Sequence, residues 1–407
     1  MPRLGIDSRV VIAGQYEHDD VRGSVGTGSV TVRVPLSGLF GIGPPARARL
    51  TGLDRRMVAP VVRDVDIVTN AISAAEGVLF ADSGIAVSGA TVIDASTPDV
   101  QSLIDGTGTS GVIFVDGSAG PITADRVTVK SSQRLLGGAT PLSVVGVETG
   151  SAFVFDPGLQ RPTFAVRVEA REAVDVRFEG FNSTATVAAR GGDLLIRDVA
   201  IDIAEADTLG LLLTTNSSVR LVDSSIRTTG VNADAVFGLS PNLGLEISNS
   251  SISTSGTEAN GIFWRGNRPL IITNSTISTS GHAADVLFLQ GSLSDVVISD
   301  STLASSGSDS ELIFAQGSSG TAVISRSVLS TAGTAADGLF FLGGSNTYQL
   351  FDTKISTTGT SAGGIRLSGG NVVSATGGSI QVTGTSSRAI TGFGGTFTSV
   401  GTTIIEP

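Results

Sequence analysis

The stretch SSISTSGTEANGIFWRGNRPLIITNSTISTSGHAADVLFLQ (250–290) holds one unit of a repeat and most of the next, and it decides how the remaining chain is read. Its two halves, SSISTSGTEANGIFWR (250–265) and STISTSGHAADVLFLQ (275–290), are matched upstream by SSIRTTGVNADAVFGL (224–239). STLASSGSDSELIFAQ (301–316), SVLSTAGTAADGLFFL (327–342), TKISTTGTSAGGIRLS (353–368) and GSIQVTGTSSRAITGF (378–393) continue the series. One glycine column falls at Gly230, Gly256, Gly281, Gly307, Gly333, Gly359 and Gly384, in steps of 25 or 26 residues. So regular a period marks a solenoid, in which each copy is one supersecondary unit stacked on the next.

Inside a copy the apolar residues alternate, which is the period of a half-buried strand. Three short runs are found per copy: Ile262 with Trp264, Leu270 with Ile272, and Ile277 with Thr279. Between them sit turn-forming residues, with Asn249, Asn274, Asp300 and Asp352 in one column and Gly266, Gly291, Gly317 and Gly343 close to another. The fold class expected is all-β: a single-stranded, right-handed parallel β-helix with ~25–26 residues per coil. At ~4.8 Å per coil, about nine coils make a rod roughly 40–45 Å long.

The columns also predict the interior. Ile226, Ile252, Ile277, Leu303, Leu329, Ile355 and Ile380 form one aliphatic ladder, and Val236, Ile262, Leu287, Ile313, Leu339 and Ile365 a second. Thr228, Thr254, Thr279, Ser305, Thr331 and Thr357 share the phase of the first ladder and are read as inward, hydrogen-bonded hydroxyls near a corner.

Charge and composition exclude several function classes. The chain has 407 residues, no cysteine and a formal net charge of −11. Without cysteine there is no disulfide framework, thiol catalysis or zinc–thiolate site, a composition that suits an exported bacterial surface protein. Residues 1–63 hold nine arginines against five acids, so residues 64–407 carry 17 basic and 32 acidic residues. An acidic body argues against nucleic-acid binding. No apolar run reaches the ~18 residues of a membrane-spanning helix. No signal peptide is evident at Met1, and TTIIEP ends the chain without a recognisable cap, so a longer native chain is expected.

Residues 8–36 read as a hairpin of another kind, with Val30, Val32, Val34 and Leu36 alternating with polar neighbours. A roughly 10-residue alternating strand with Tyr16 near its end fits a transmembrane barrel strand, and an edge hairpin of a soluble domain is the competing reading. Here YEHDDVRGSVGTGSVTVRVPL (16–36) and LTGLDRRMVAPVVRDVDIVTNA (50–71) resemble the end of the barrel domain of inverse autotransporters, the intimin/invasin class. That resemblance covers about 70 residues. It implies an outer-membrane barrel on the N-terminal side, a linker through its pore and a surface-exposed passenger. The best-known members carry immunoglobulin-like domains where this chain carries a solenoid, so their invasion and receptor roles do not transfer. The organisation expected is a hairpin over 1–40, a linker over 41–75, an irregular cap with first strands over 76–165, and regular coils over 166–407. In the cap, GVLFADSG (77–84) and GVIFVDGS (111–118) are similar apolar strands, and Gln133, Leu135, Gly137 and Gly138 resemble the QxLxGG-like turn that leads into secreted bacterial β-helices. A solenoid needs such an atypical end to cover its core.

Parallel β-helices serve lyases, hydrolases and adhesins alike, so chemistry must be sought in side chains. The acids Asp223, Asp300 and Asp352 share the corner column with Asn249 and Asn274, and Arg326 interrupts them; this is read as corner chemistry, against a Ca²⁺ or catalytic site. Asp309 and Glu311 lie two apart, on one side of an extended segment, the spacing a glycosidase pair would want, but in a single coil with no partner column they are read as solvated. With only His18 and His282 in the chain, a Ser–His–Asp arrangement is poorly supported.

Packing explains one column least: Phe237, Phe263, Phe288, Phe314 and Phe340. Alternation turns them outward, as does Arg366 at the same position one coil later; a bulge turning them inward, or a covering loop, is the competing reading. Exposed, they form a candidate interaction stripe. Ser253, Ser255, Ser278, Ser280, Ser356 and Thr358 form a hydroxyl wall, read as a neutral surface and less readily as an ice- or mineral-binding face.

The function expected is a non-catalytic cell-surface passenger, an adhesin-like or stalk β-helix, located at the outer membrane and cell surface. No catalytic residue, cofactor or metal is assigned. Its expected partners are a polysaccharide or a host or neighbouring-cell surface ligand, and the outer membrane through the barrel remnant. The alternative is a secreted polysaccharide lyase or glycoside hydrolase, which a cleft of clustered Asp, Lys and Arg across adjacent coils would favour.

Overall fold

The computed structural model describes residues 9–19, 23–33, 76–123, 126–292 and 295–407. Two compact units are separated near Ile72 and Ser73. In the first, Arg9–Asp19 pairs antiparallel with Gly23–Arg33, so the hairpin expected over 8–36 forms. The segment 50–71 that carries most of the autotransporter resemblance lies outside the described residues.

The second unit is a parallel β-solenoid with three faces. The first face is an 11-stranded parallel sheet running from Thr163–Phe164 to Thr403–Ile405. On it Ile226 pairs with Ile252, Ile252 with Ile277, and Ile277 with Leu303, each equivalent residue directly above the last. The second face carries Val236–Gly238, Ile262–Trp264 and their equivalents. The third carries Gly244–Ser248, Leu270–Thr273 and theirs. Long strands such as Ile313–Ser325 run round the corner and contribute to both faces.

Both predicted aliphatic ladders are buried, with no member more than 1% exposed. Inward residues of the third face, among them Ile247, Ile272 and Ile298, complete one continuous core. Trp264 fits inside because Gly238 and Gly266 flank it: a Cβ at either would lie 2.5 Å from the indole. The Gly230–Gly384 column has a different cause. A Cβ on Gly281 would lie 1.8 Å from the carbonyl oxygen of Gly256 in the coil below, so two backbones approach where no side chain fits.

The corner column is a left-handed turn. Asp223, Asn249, Asn274, Asp300, Arg326 and Asp352 all have φ between 47° and 51°, the region Asn and Asp tolerate best. Arg326 holds this costlier conformation while its guanidinium makes two hydrogen bonds, of 2.7 and 2.6 Å, to the Asp300 carboxylate one coil away. The residue after each corner is a buried hydroxyl. Ser250 Oγ accepts from Ser224 N–H at 3.1 Å and donates to Ser248 C=O at 2.8 Å, and Ser275 and Ser301 repeat the pattern. Backbone groups freed by the turn are satisfied this way in coil after coil. The threonine ladder behaves less uniformly than expected. Ser305 and Thr357 bond the carbonyls of Ser310 and Ala362, while the hydroxyls of Thr228, Thr254 and Thr279 are buried without partners.

Parallel stacking reaches further back than residue 166. Ala90–Ile93, Val112–Val115 and Arg134–Gly137 pair in parallel with one another, and the last joins the strand Val168–Glu179. These early coils are short and uneven, since Phe164 pairs with Ser183 and Ser183 with Ile201. The QxLxGG-like turn organises them. Gln133 is fully buried, donates to Ile104 C=O, Thr107 Oγ1 and Gly108 C=O, and accepts from Lys130 N–H. A short helix, Val100–Gly106, capped by Asp99, buries Val100 and Ile104 in the core; two apolar residues four apart are too brief a signal for sequence periodicity. The two similar strands separate. Val112–Val115 enters the solenoid, while Val78–Phe80 joins an antiparallel sheet with Leu142–Gly146 and Ala152–Phe155.

Candidate functional site

The second face positions the phenylalanine column. Val236, Gly238 and their equivalents point inward, which leaves Phe237, Phe263, Phe288, Phe314 and Phe340 on the outer surface, half-buried by one another. Ring centroids of successive residues lie 4.8, 5.1, 5.1 and 5.0 Å apart. Three of these four pairs stack, and Phe263 meets Phe288 edge-on. At one end the Arg366 guanidinium covers Phe340 at 4.5 Å, and the Arg265 guanidinium lies 5.7 Å from the Phe263 ring. Stacked rings at these spacings support one another by covering each other's faces, which leaves mainly their edges at the surface.

Three residues upstream of each phenylalanine runs a second column: Asp234, Asn260, Asp285, Glu311 and Asp337. Asp234, Asp285 and Asp337 are buried. Each holds the backbone of the next coil, with Oδ1 of Asp234, Asp285 and Asp337 accepting from N–H of Asn260, Glu311 and Gly363 at 2.6, 2.8 and 2.6 Å. Burial pushes the Asp234 and Asp337 carboxyls up to about 6. Burial, with Glu311 next to it, raises Asp285 well above the usual range. Arg366 joins the two columns, since its Nη1 lies 3.6 Å from Asp337 Oδ2 while the guanidinium covers Phe340.

Asp309 is exposed, as read, and does not form a carboxylate pair with Glu311. Asp309 turns at φ 52°, which breaks the extended segment, and faces His282 Nδ1 at 3.6 Å. Glu311 lies instead beside Asp285. The hydroxyl wall lines an open depression of about 370 Å³ that includes Ser253, Ser255, Ser278 and Ser280.

Two charge clusters in the early coils were not anticipated. Beneath the small antiparallel sheet, a cleft of about 300 Å³ holds Asp82, Arg134, Arg177, Glu179 and Arg197. The Arg134 side chain is almost wholly buried, stacks on Phe80 at 4.4 Å and pairs with Asp175 at 2.8 Å. Arg177 pairs with Asp82. Arg177 and Arg197 lie 3.9 and 3.7 Å from the Glu179 carboxylate, yet its burial outweighs them and raises its pKa. This is the kind of charged cleft across adjacent coils that an enzyme would use. The second cluster surrounds Glu169 at the N-terminal end of the second face, where Arg126, Arg167, Arg171 and Arg190 converge. Uneven coil lengths hide both clusters in the sequence, because stacked residues there are not separated by a constant 25 or 26 positions.

No protein-family model and no curated protein matches the chain. Among solved structures, the A-modules of the Azotobacter vinelandii mannuronan C-5 epimerases AlgE4 and AlgE6 are similar at 14% and 12% identity. They cover 76% and 77% of this chain and 94% and 97% of their own, each with a TM-score of 0.39. PfbA, a surface adhesin of Streptococcus pneumoniae, is similar at 10% identity over 77% of this chain and 91% of its own, with a TM-score of 0.25. At these values the likenesses bear on neither ligand nor activity.

Proposed function

We propose that the chain is a non-catalytic, surface-presented β-helix that binds an extended ligand, of which a polysaccharide is the leading class, along its second face. The observation that carries this reading is the stripe of five outward phenylalanines on consecutive coils. Repetition at one spacing suits a repetitive ligand, whose many weak contacts add through effective concentration. The acid column beside the stripe supports the reading. Buried carboxyls raised towards 6 cost stability at neutral pH, and such costs are commonest where function maintains them. Presentation at a bacterial outer membrane and cell surface, behind an inverse-autotransporter barrel, belongs to the same proposal and rests on residues 16–36 and 50–71.

A second reading is favoured by one observation, the cleft around Glu179. A carboxyl raised by burial beside Arg134, Arg177 and Arg197 could act as general acid on an acidic polysaccharide in a lyase or hydrolase. The stripe is tested by retention of the full chain on immobilised polysaccharides, compared with the Phe288→Ser/Phe314→Ser variant. Loss of retention in a folded variant is expected. Equal retention would remove the stripe from the function.

A further inference from the structure

The Glu169 cluster is built differently from the ion pairs elsewhere in the solenoid. Glu169 lies on an outward column of the second face, yet its side chain is only 1% exposed, because four arginines close over it. Arg126 Nη1 is 3.5 Å from its carboxylate, Arg167 Nε 3.5 Å, Arg171 Nε 3.7 Å and Arg190 Nε 3.4 Å. Among the described residues it is the one carboxylate at ion-pair distance from any of the four. Four positive charges therefore share one negative charge, in a body whose residues 64–407 are strongly acidic.

Hydrogen bonding within the cluster is also incomplete. The Nε groups of Arg167 and Arg190 and the Oε2 atom of Glu169 are buried without a hydrogen-bond partner. Burial, and then the positive charge of the neighbouring Arg190, lower the Arg167 pKa, while Glu169 opposes them. Arg126 and Arg171 are half exposed, so the ring opens to solvent on one side. Guanidinium groups arranged this way bind planar or tetrahedral oxyanions through paired N–H donors.

We propose that Arg126, Arg167, Arg171 and Arg190 form a binding site for an oxyanion, a carboxylate, sulfate or phosphate group carried by the ligand, with Glu169 as the internal counter-ion that holds the ring together. The site is aligned with the phenylalanine stripe. Glu169 stacks on Ala188, Ala188 on Leu212, and Leu212 on Phe237. At ~4.8 Å per coil it lies roughly 14 Å from the first ring. A linear ligand along the second face would thus place an acidic group in the ring and apolar surface on the stripe. That alignment rests on the proposed function; the site itself does not.

Calorimetric titration of the full chain with inorganic sulfate, inorganic phosphate and acetate, each at constant ionic strength set with chloride, tests the site and ranks the three oxyanions. Saturable one-to-one binding of at least one is expected, weakened about tenfold or more by Arg171→Gln/Arg190→Gln. Should that variant fail to fold, Arg126→Gln, at a half-exposed position, is expected to weaken binding several-fold. Glu169→Gln separates binding from scaffolding: it is expected to lower the melting temperature without anion and to show a larger anion-induced rise than the parent chain. Absence of saturable binding, or binding unchanged in both arginine variants, would overturn the proposal. So would a Glu169→Gln defect that anions do not relieve. Each of these results is independent of whether the stripe retains a polysaccharide.

Discussion

At the scale of single residues, space and solvation decide. Gly281 occupies a column where the backbones of adjacent coils approach, and its missing Cβ is what permits the approach. Overpacking costs about 1–3 kcal/mol where side chains can yield. Here the obstacle is a carbonyl oxygen, so Gly281→Ala is expected to destabilise by about 3 kcal/mol or more in a denaturant titration. The buried acids predict a pH dependence whose sign can be worked out. Asp234 and Asp337 have folded-state pKa values raised to about 6, so their contribution favours folding below the unfolded value and is lost as pH rises through 6. Asp94, Asp116 and Asp300 are shifted down by hydrogen bonds from Ser96, Ser118 and Arg326, so their contribution is lost only at lower pH. Thermal stability should therefore rise as pH falls from 7.5 to about 5 and decline again below about 4. Asp234→Asn keeps an acceptor for Asn260 N–H and removes a charge, as Asn260 itself does one coil later. It should stabilise the chain by about 1–2 kcal/mol at pH 7.5 and by much less at pH 5. A stability difference between this variant and the parent chain that stays the same from about pH 5 to 7.5 would mean that Asp234 does not titrate in that range.

At the scale of elements, the sequence was most legible where coils repeat at constant length. The aliphatic ladders, the glycine column and the outward direction of Phe237 to Phe340 all follow from alternation combined with a period of 25 or 26 residues. The buried serine column from Ser224 to Ser327 carries the same period, but serine next to a corner reads as surface. The acid column was masked by its variety, since Asn260 and Gly363 interrupt it. Arg134, Glu169 and Glu179 were illegible for another reason. Each occupies an outward strand position that alternation reads as surface; the small antiparallel sheet covers Arg134 and Glu179, and arginine side chains close over Glu169. The stripe yields the prediction at this scale. Each half-buried phenylalanine contributes about 1–2 kcal/mol through partial burial and stacking. Phe288→Ser/Phe314→Ser should leave the circular-dichroism spectrum of a folded β-solenoid while losing most retention on the ligand. An unfolded variant would assign these rings to stability alone.

At the scale of the whole molecule, the solenoid spaces its groups as a ruler does: eleven rungs on the first face, and on the second a basic cluster followed by an aromatic stripe. Presentation and catalysis predict different behaviour for such a surface. Binding through repeated contacts should strengthen steeply with ligand length and leave the ligand intact. Catalysis at the Glu179 cleft would act on a short segment and depend on one carboxyl. The most direct measurement incubates the full chain with a panel of neutral and acidic polysaccharides and scores, in the same samples, the amount retained and the appearance of new chain ends. Presentation predicts retention that grows with polymer length and no new ends. New chain ends that vanish with Glu179→Gln would contradict it and move the function to the cleft.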